Sequence, residues 1–239
     1  MKYFLAFGLL ISSCGASEPM MQRGGGKASQ YVKITMPIRE NCAVDYSTLH
    51  PDADLSFSIN DPGVPEKFKI VHMNELMQLP VSTKLFLKER QAMIYLTSGS
   101  ITDFAHFDHL KGVVPRGWEN TGYTWDDVPG AGDKFGAYLG HPGLPHSANS
   151  LALHEIGHTI DFLSGWSKSS SQWLEAYSRW KYRPDPQDRN GYYRMSHVEE
   201  FVAAAIDDYF CSPETRSSME DWYPGLSKLV RESFFADSV

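Results

Sequence analysis

His154-Glu155-Ile156-Gly157-His158 places two imidazoles four residues apart, with a carboxylate directly after the first. On a helix, residues i and i+4 share one face, so both ring nitrogens can converge on a single Zn²⁺. The 3.6-residue period rotates Glu155 about 100° from His154. That sets its carboxylate beside a metal without making it a ligand, where it can take a proton from metal-activated water. A catalytic zinc needs three protein ligands and one open position, so a third donor must come from elsewhere in the chain. In the metzincin pattern the helix breaks at a Gly and a third His follows six residues after the second; here those positions are Asp161 and Ser164, which excludes that class. The third ligand is then expected to be a carboxylate on a separate helix. Glu199 and Glu200 open the downstream helix with the strongest apolar periodicity, and spacing alone gives Glu200 little advantage over Glu199.

The elements that must position these groups read as strands first and helices last, an α+β order. The metal helix spans Asn149 to about Gly165, with an apolar stripe at Leu151, Leu153, Ile156, Ile160 and Leu163. Further helices are marked by Trp173, Ala176, Tyr177 and Trp180, by Phe201, Val202, Ala205, Ile206 and Tyr209, and by Leu226, Leu229, Val230 and Phe234. Upstream, Tyr31–Met36, Phe68–Val71, Ala92–Thr97 and Phe135–Leu139 read as strands, the last of them exposed. A short helix is expected from Asn74, its cap, to Leu79, stopped by Pro80. Ile101–Leu110 reads as helix or turn, and residues 37–67 and 115–134 as irregular.

With 239 residues and 42% hydrophobic content the chain can build one sizeable core. A net charge of −7 and the lack of a basic patch with interleaved aromatics argue against nucleic acid as a partner. Lys2 and the apolar run Tyr3–Ile11 read as a secretion signal, since the run is too short to span a membrane. Cleavage after Ala16 gives a signal peptide of residues 1–16. Ile11-Ser12-Ser13-Cys14 also resembles a degenerate lipobox, in which case the signal is 1–13 and a lipidated Cys14 is the only membrane attachment. Residues 17–30, with Gly24-Gly25-Gly26, read as a linker, and 31–239 as one domain. Cys42 and Cys211 are the pair left in an oxidising compartment and are expected to form a disulfide.

Three separated motifs give the chain a resemblance to a known family, the anthrax lethal factor-like metalloprotease domains, which include the secreted Pro-Pro endopeptidases. His154 to Asp161 is similar to the family's H-E-x-G-H-x-x-D; Tyr193 followed by Glu200-Phe201-Val202-Ala203 is similar to its Tyr and the later Glu-Phe run; and Arg116-Gly117-Trp118 with Thr124-Trp125-Asp126-Asp127-Val128-Pro129-Gly130 is similar to its upstream loop. The likeness covers roughly residues 75–235. It implies a zincin-like α+β fold, one Zn²⁺ held by His154, His158 and Glu200, Glu155 as general base and Tyr193 as the hydroxyl that faces the oxyanion of the tetrahedral intermediate. A phenol suits that place because it donates strongly and stays protonated at neutral pH. The family register favours Tyr193 with Glu200 over Tyr192 with Glu199, because Phe201 must follow the ligand.

The chain departs from the family at Ala204, where a second Glu often supports a ligand; Asp161 and Asp207 are the acids that could replace it. His106, His109, His141 and His146 read as loop or surface residues, and Asp126 and Asp127 as turn locks. Trp118 and Trp125 fit either a substrate groove or core packing, and Phe135–Leu139 could pair with an extended peptide by strand addition. The function expected is that of a secreted or surface-anchored zinc endopeptidase, acting as a monomer on a protein or peptide substrate, proline-rich in some relatives. The rival is a binding domain with a relic zinc site, which would be expected to lose Glu155 or Tyr193.

Overall fold

The computed structural model describes residues 40–53, 58–60, 63–115, 122–142, 146, 148–182 and 194–235. The signal and linker, Tyr31–Met36, Arg116-Gly117-Trp118, Tyr192 and Tyr193 lie outside them. The fold is α+β. A four-stranded mixed sheet has the order β1 (Ser58–Asn60), β2 (Met93–Leu96), β4 (Gly136–Leu139), β3 (Gly130–Asp133). The pairs β1–β2 and β2–β4 are parallel, and β3–β4 is an antiparallel hairpin. Two residues close that hairpin, and the Asp133 carboxylate fixes the turn by accepting the Phe135 N–H at 2.7 Å. Among the described residues two helices precede β2, α1 (Glu66–Leu76) and α2 (Val81–Glu89).

The C-terminal half is helical: α3 (Leu151–Ser164), α4 (Trp166–Ser169), α5 (Ser171–Trp180), α6 (Val198–Cys211), α7 (Pro213–Trp222) and α8 (Leu226–Phe235). The main core lies between one face of the sheet and these helices, around Leu151, Leu153, Ile156, Phe201, Ile206 and Trp173. The other face of β3 and β4 carries a smaller cluster, in which Trp125, Phe107 and Ile101 cover Ala131 and Tyr138. Trp125 is therefore a packing residue rather than part of a groove.

Three readings of the sequence are corrected here. Phe68–Val71 is not a strand, and Asn74 does not open a helix; both belong to α1, which starts at Glu66. Its buried face is Phe68, Val71, His72, Glu75 and Leu76, a helical i, i+3, i+4, i+7, i+8 spacing that two ionisable side chains conceal. α1 ends at Leu76 with Met77 as its C-cap, before Pro80 is reached, and Pro80 instead starts α2 as its N-cap. The strand at Phe135–Leu139 is not an exposed edge. β4 lies inside the sheet between β2 and β3, all four of its residues are buried, and its hydrogen-bonding edges are already used, so it has none left for a substrate.

Cys42 and Cys211 are disulfide-bonded across 169 residues of chain, and the Ala43 N–H donates to the Cys211 carbonyl at 2.9 Å. The bond pins the segment before β1 to the last residue of α6. Closing so long a loop restricts the unfolded chain, with a chain-entropy limit of about 5 kcal/mol. The Cys42→Ser/Cys211→Ser double variant should lower the urea midpoint by the equivalent of several kcal/mol; an unchanged midpoint would mean that the bond adds nothing to stability. No helix among the described residues is long and apolar enough to cross a membrane.

Candidate metal and active site

The histidine helix α3 begins at Ser150, whose Oγ accepts the Leu153 N–H at 3.0 Å, and ends at Gly165, which takes φ 71°. Every residue from Leu151 to Asp161 is buried, because the helix is enclosed between the sheet and α6. Glycines permit both contacts. A Cβ on Gly132 of β3 would run into the Glu155 carbonyl, and one on Gly157 would lie 3.0 Å from Ala203 Cα on α6. Gly157 thus has a packing reason that its place in the H-E-x-x-H run does not reveal. The small pair Gly157 and Ala203 brings the two helix backbones close enough for one residue of α6 to reach both histidines.

That residue is Glu200, in the first turn of α6. Its Oε2 lies 3.3 Å from His154 Nε2 and 3.6 Å from His158 Nε2, and the two Nε2 atoms are 3.2 Å apart. All three side chains are buried. Donors about 2.1 Å from a tetrahedral zinc sit about 3.4 Å from one another, so this triangle fits the ion in size and in chemistry, two imidazole nitrogens and one carboxylate oxygen. Glu199, the other sequence candidate, is half-buried and lies outside the group.

The charges also call for a cation. Burial alone would push the Glu200 carboxyl up; the His158 charge and hydrogen bonds from both imidazoles hold it down, to about 2. Burial drives His154 below its ordinary value. The same burial opposes protonation of His158, but the Glu200 carboxylate outweighs it and raises that ring. A buried anion here is kept by positive charge, which a dication supplies more fully than one shared proton.

Glu155 is buried, with its Cγ against Gly130 of β3 and its charge near enough to favour protonation of the His158 ring. Tyr193 lies outside the described residues. Neither acid expected to replace the family's second Glu does so. Asp161 accepts from Ser167 N–H and Oγ at 2.7 and 2.5 Å, which ties α4 to α3. Asp207 accepts from Asn149 N–H and Ser150 N–H at 2.7 and 2.8 Å. The side chain at 204 is a buried alanine, and among the described residues no group accepts from His154 Nδ1.

The remaining candidates divide. His109 is exposed and His106 half-buried, its Nε2 2.7 Å from Asp133 Oδ2. His141 and His146 lie in loops, as expected, but are buried rather than on the surface; the His141 ring packs edge-on to Phe68 at 4.5 Å. Asp126 and Asp127 lock the loop before β3, as expected. Asp126 accepts from Thr102 Oγ1 and Gly112 N–H at 2.5 and 2.7 Å, and Asp127 from Thr124 N–H at 3.0 Å.

Sequence reasoning missed Glu75 altogether, having placed it in a short helix from Asn74 to Leu79 with no role. Its buried carboxylate accepts from Ser150 Oγ at 2.7 Å and from Tyr46 OH at 2.9 Å. Burial pushes it up to about 7 against those two hydrogen bonds. The folded chain therefore holds a proton there that the unfolded chain has released, so stability falls as pH rises from the ordinary 4.5 to about 7 and levels off above. Asp207, raised by burial and by the Asp208 charge, acts in the same direction. Glu75→Gln should remove about 3 kcal/mol of that decline, read as metal-free urea stability at pH 4.5 against pH 8. An unaltered decline would clear Glu75 of any part in it.

Comparison with known proteins shows the family. The family model described as "Anthrax toxin lethal factor, N- and C-terminal domain" matches residues 66–229. The chain belongs to this family. Within the lethal factor family it is 37% identical to a Pro-Pro endopeptidase of Clostridioides difficile (strain 630) over 143 residues, 58% of this chain and 63% of that one. It is 34% identical to a Pro-Pro endopeptidase of Paenibacillus alvei over 174 residues, 66% of this chain and 74% of that one. The solved structure of the Paenibacillus alvei Pro-Pro endopeptidase matches with a TM-score of 0.66 at 26% identity, covering 75% of this chain and 98% of that one. The family match includes every residue of the donor triangle, Glu155 and the position of Tyr193.

Proposed function

We propose that this chain is a zinc-dependent endopeptidase exported from the cytoplasm, acting as a monomer on proline-rich peptide segments. The observation that carries the proposal is the buried triangle of His154, His158 and Glu200, with Glu155 buried on the histidine helix. The names of its relatives, Pro-Pro endopeptidases, support the substrate class. Export is supported by the apolar run Tyr3–Ile11 and by the disulfide, a bond that persists where thiols are not kept reduced. The triangle draws all of its donors from one chain, which fits a monomer.

Bound zinc would supply Lewis acidity, polarising the scissile carbonyl and lowering the pKa of water toward 7. Glu155 would take the proton of the attacking water and deliver it to the departing amine. Its burial keeps bulk solvent away from that proton. Tyr193, from its place in the family motif, would donate its hydroxyl to the oxyanion. Glu200 would hold the two imidazoles in register and neutralise part of the charge at the site.

The experiment is hydrolysis of a peptide library containing Pro-Pro bonds, with zinc content measured in the same sample. Cleavage that is lost with chelator and restored by zinc is the expected result. One equivalent of zinc with no cleavage of any peptide would instead support a binding domain with a relic site.

A further inference from the structure

The interface between the histidine helix and the glutamate helix is pinned at three levels. Glu200 faces His154 and His158, Ala203 faces Gly157, and Asp207 faces Asn149 and Ser150. Rising numbers on α6 meet falling numbers on α3, so the helices run antiparallel. The first level is the donor triangle and the second is a van der Waals contact. The third is a buried carboxylate that accepts two backbone N–H groups at the helix N-terminus, at 2.7 and 2.8 Å. Ser150 sits one turn before His154, and Asp207 two turns after Glu200.

Ser150 is held from its other side as well. Its Oγ donates to Glu75 Oε2 at 2.7 Å; Glu75 Oε1 accepts from Tyr46 OH, which accepts the Cys42 N–H at 2.9 Å. Cys42 is bonded to Cys211, four residues beyond Asp207 on the same helix. Asp207, Ser150, Glu75, Tyr46 and the disulfide thus form a closed ring from the glutamate helix back to itself.

We propose that Asp207, with Glu75 behind it, is a positioning residue for the metal site: it fixes the register of the two helices and so sets the affinity for zinc. A slip of one residue along an α-helix is about 1.5 Å, whereas metal–ligand distances tolerate about 0.2 Å. A device that suppresses slip is therefore worth more to this site than its hydrogen bonds alone suggest. It also accounts for two buried acids that touch neither imidazole. The inference rests on the zinc site proposed above.

The test measures the zinc dissociation constant by chelator competition, and the visible spectrum of the Co²⁺-loaded protein, for wild type, Asp207→Asn, Ser150→Ala and Leu229→Ala. In Asp207→Asn an amide N–H meets a backbone N–H, so Kd should rise about 10–100-fold and the cobalt bands should shift. Ser150→Ala keeps both backbone bonds to Asp207 and loses the Glu75 brace and the cap, so a rise of about threefold or more is expected. Leu229, buried on α8 and not a member of the ring, provides destabilisation without loss of the clamp, and its variant should stay within about twofold of wild type. If Asp207→Asn does not fold, Ser150→Ala decides alone. Wild type that binds zinc while both clamp variants rise no more than Leu229→Ala overturns the positioning role. Wild type that takes up no zinc overturns the metal site itself, and the clamp with it.

Discussion

Glu155→Gln should lose peptide hydrolysis by about 10²–10⁴-fold while still binding one zinc, because general acid–base catalysis contributes on that scale and the side chain is not in the donor triangle. Glutamine keeps the shape of a residue that is 0% exposed and packed on Gly130, so folding and metal content are not expected to change. The measurement is kcat/KM on a cleaved peptide, with zinc per chain determined in parallel. Loss of zinc together with activity would move Glu155 from proton carrier to ligand support. Retention of both would remove it from the reaction, and with it the proposed mechanism.

The histidine helix was legible because its signals are local. The i, i+4 histidines, the apolar stripe and the terminal Gly165 all lie within one element, and the structure bounds that helix at Leu151 and Ser164. The choice between Glu199 and Glu200 was not local. Adjacent positions on a helix differ by about 100° in direction, and only the crossing at Gly157 and Ala203 decides which of them faces the histidines. Helix α1 was hidden for a related reason. His72 and Glu75 occupy its buried face, where periodicity rules expect apolar residues, since their partners are Gly140 and Ser150, far away in the chain. β4 was misplaced because its short run of small and aromatic residues reads alike for an edge and for an interior strand. The partners of Asp161 and Asp207 were unreadable too; each carboxylate serves a helix end, and nothing in sequence spacing separates that use from support of an imidazole.

Glu200→Ala tests the crossing itself. It should weaken zinc binding by at least about 100-fold, since removing a ligand exceeds the 10–100-fold typical of supporting residues. Two imidazoles remain, 3.2 Å apart and buried, but the anion that offsets the charge of a dication at this depth is gone. Glu199→Ala, one position away and half-buried outside the triangle, should keep full zinc stoichiometry. The pair separates geometry from composition, because each variant removes one carboxylate from the same helical turn. Equal zinc loss in both would show that the site responds to the acidity of that turn rather than to one oriented oxygen. Zinc retained in Glu200→Ala would mean that another donor completes the coordination, and the triangle would cease to describe the metal site.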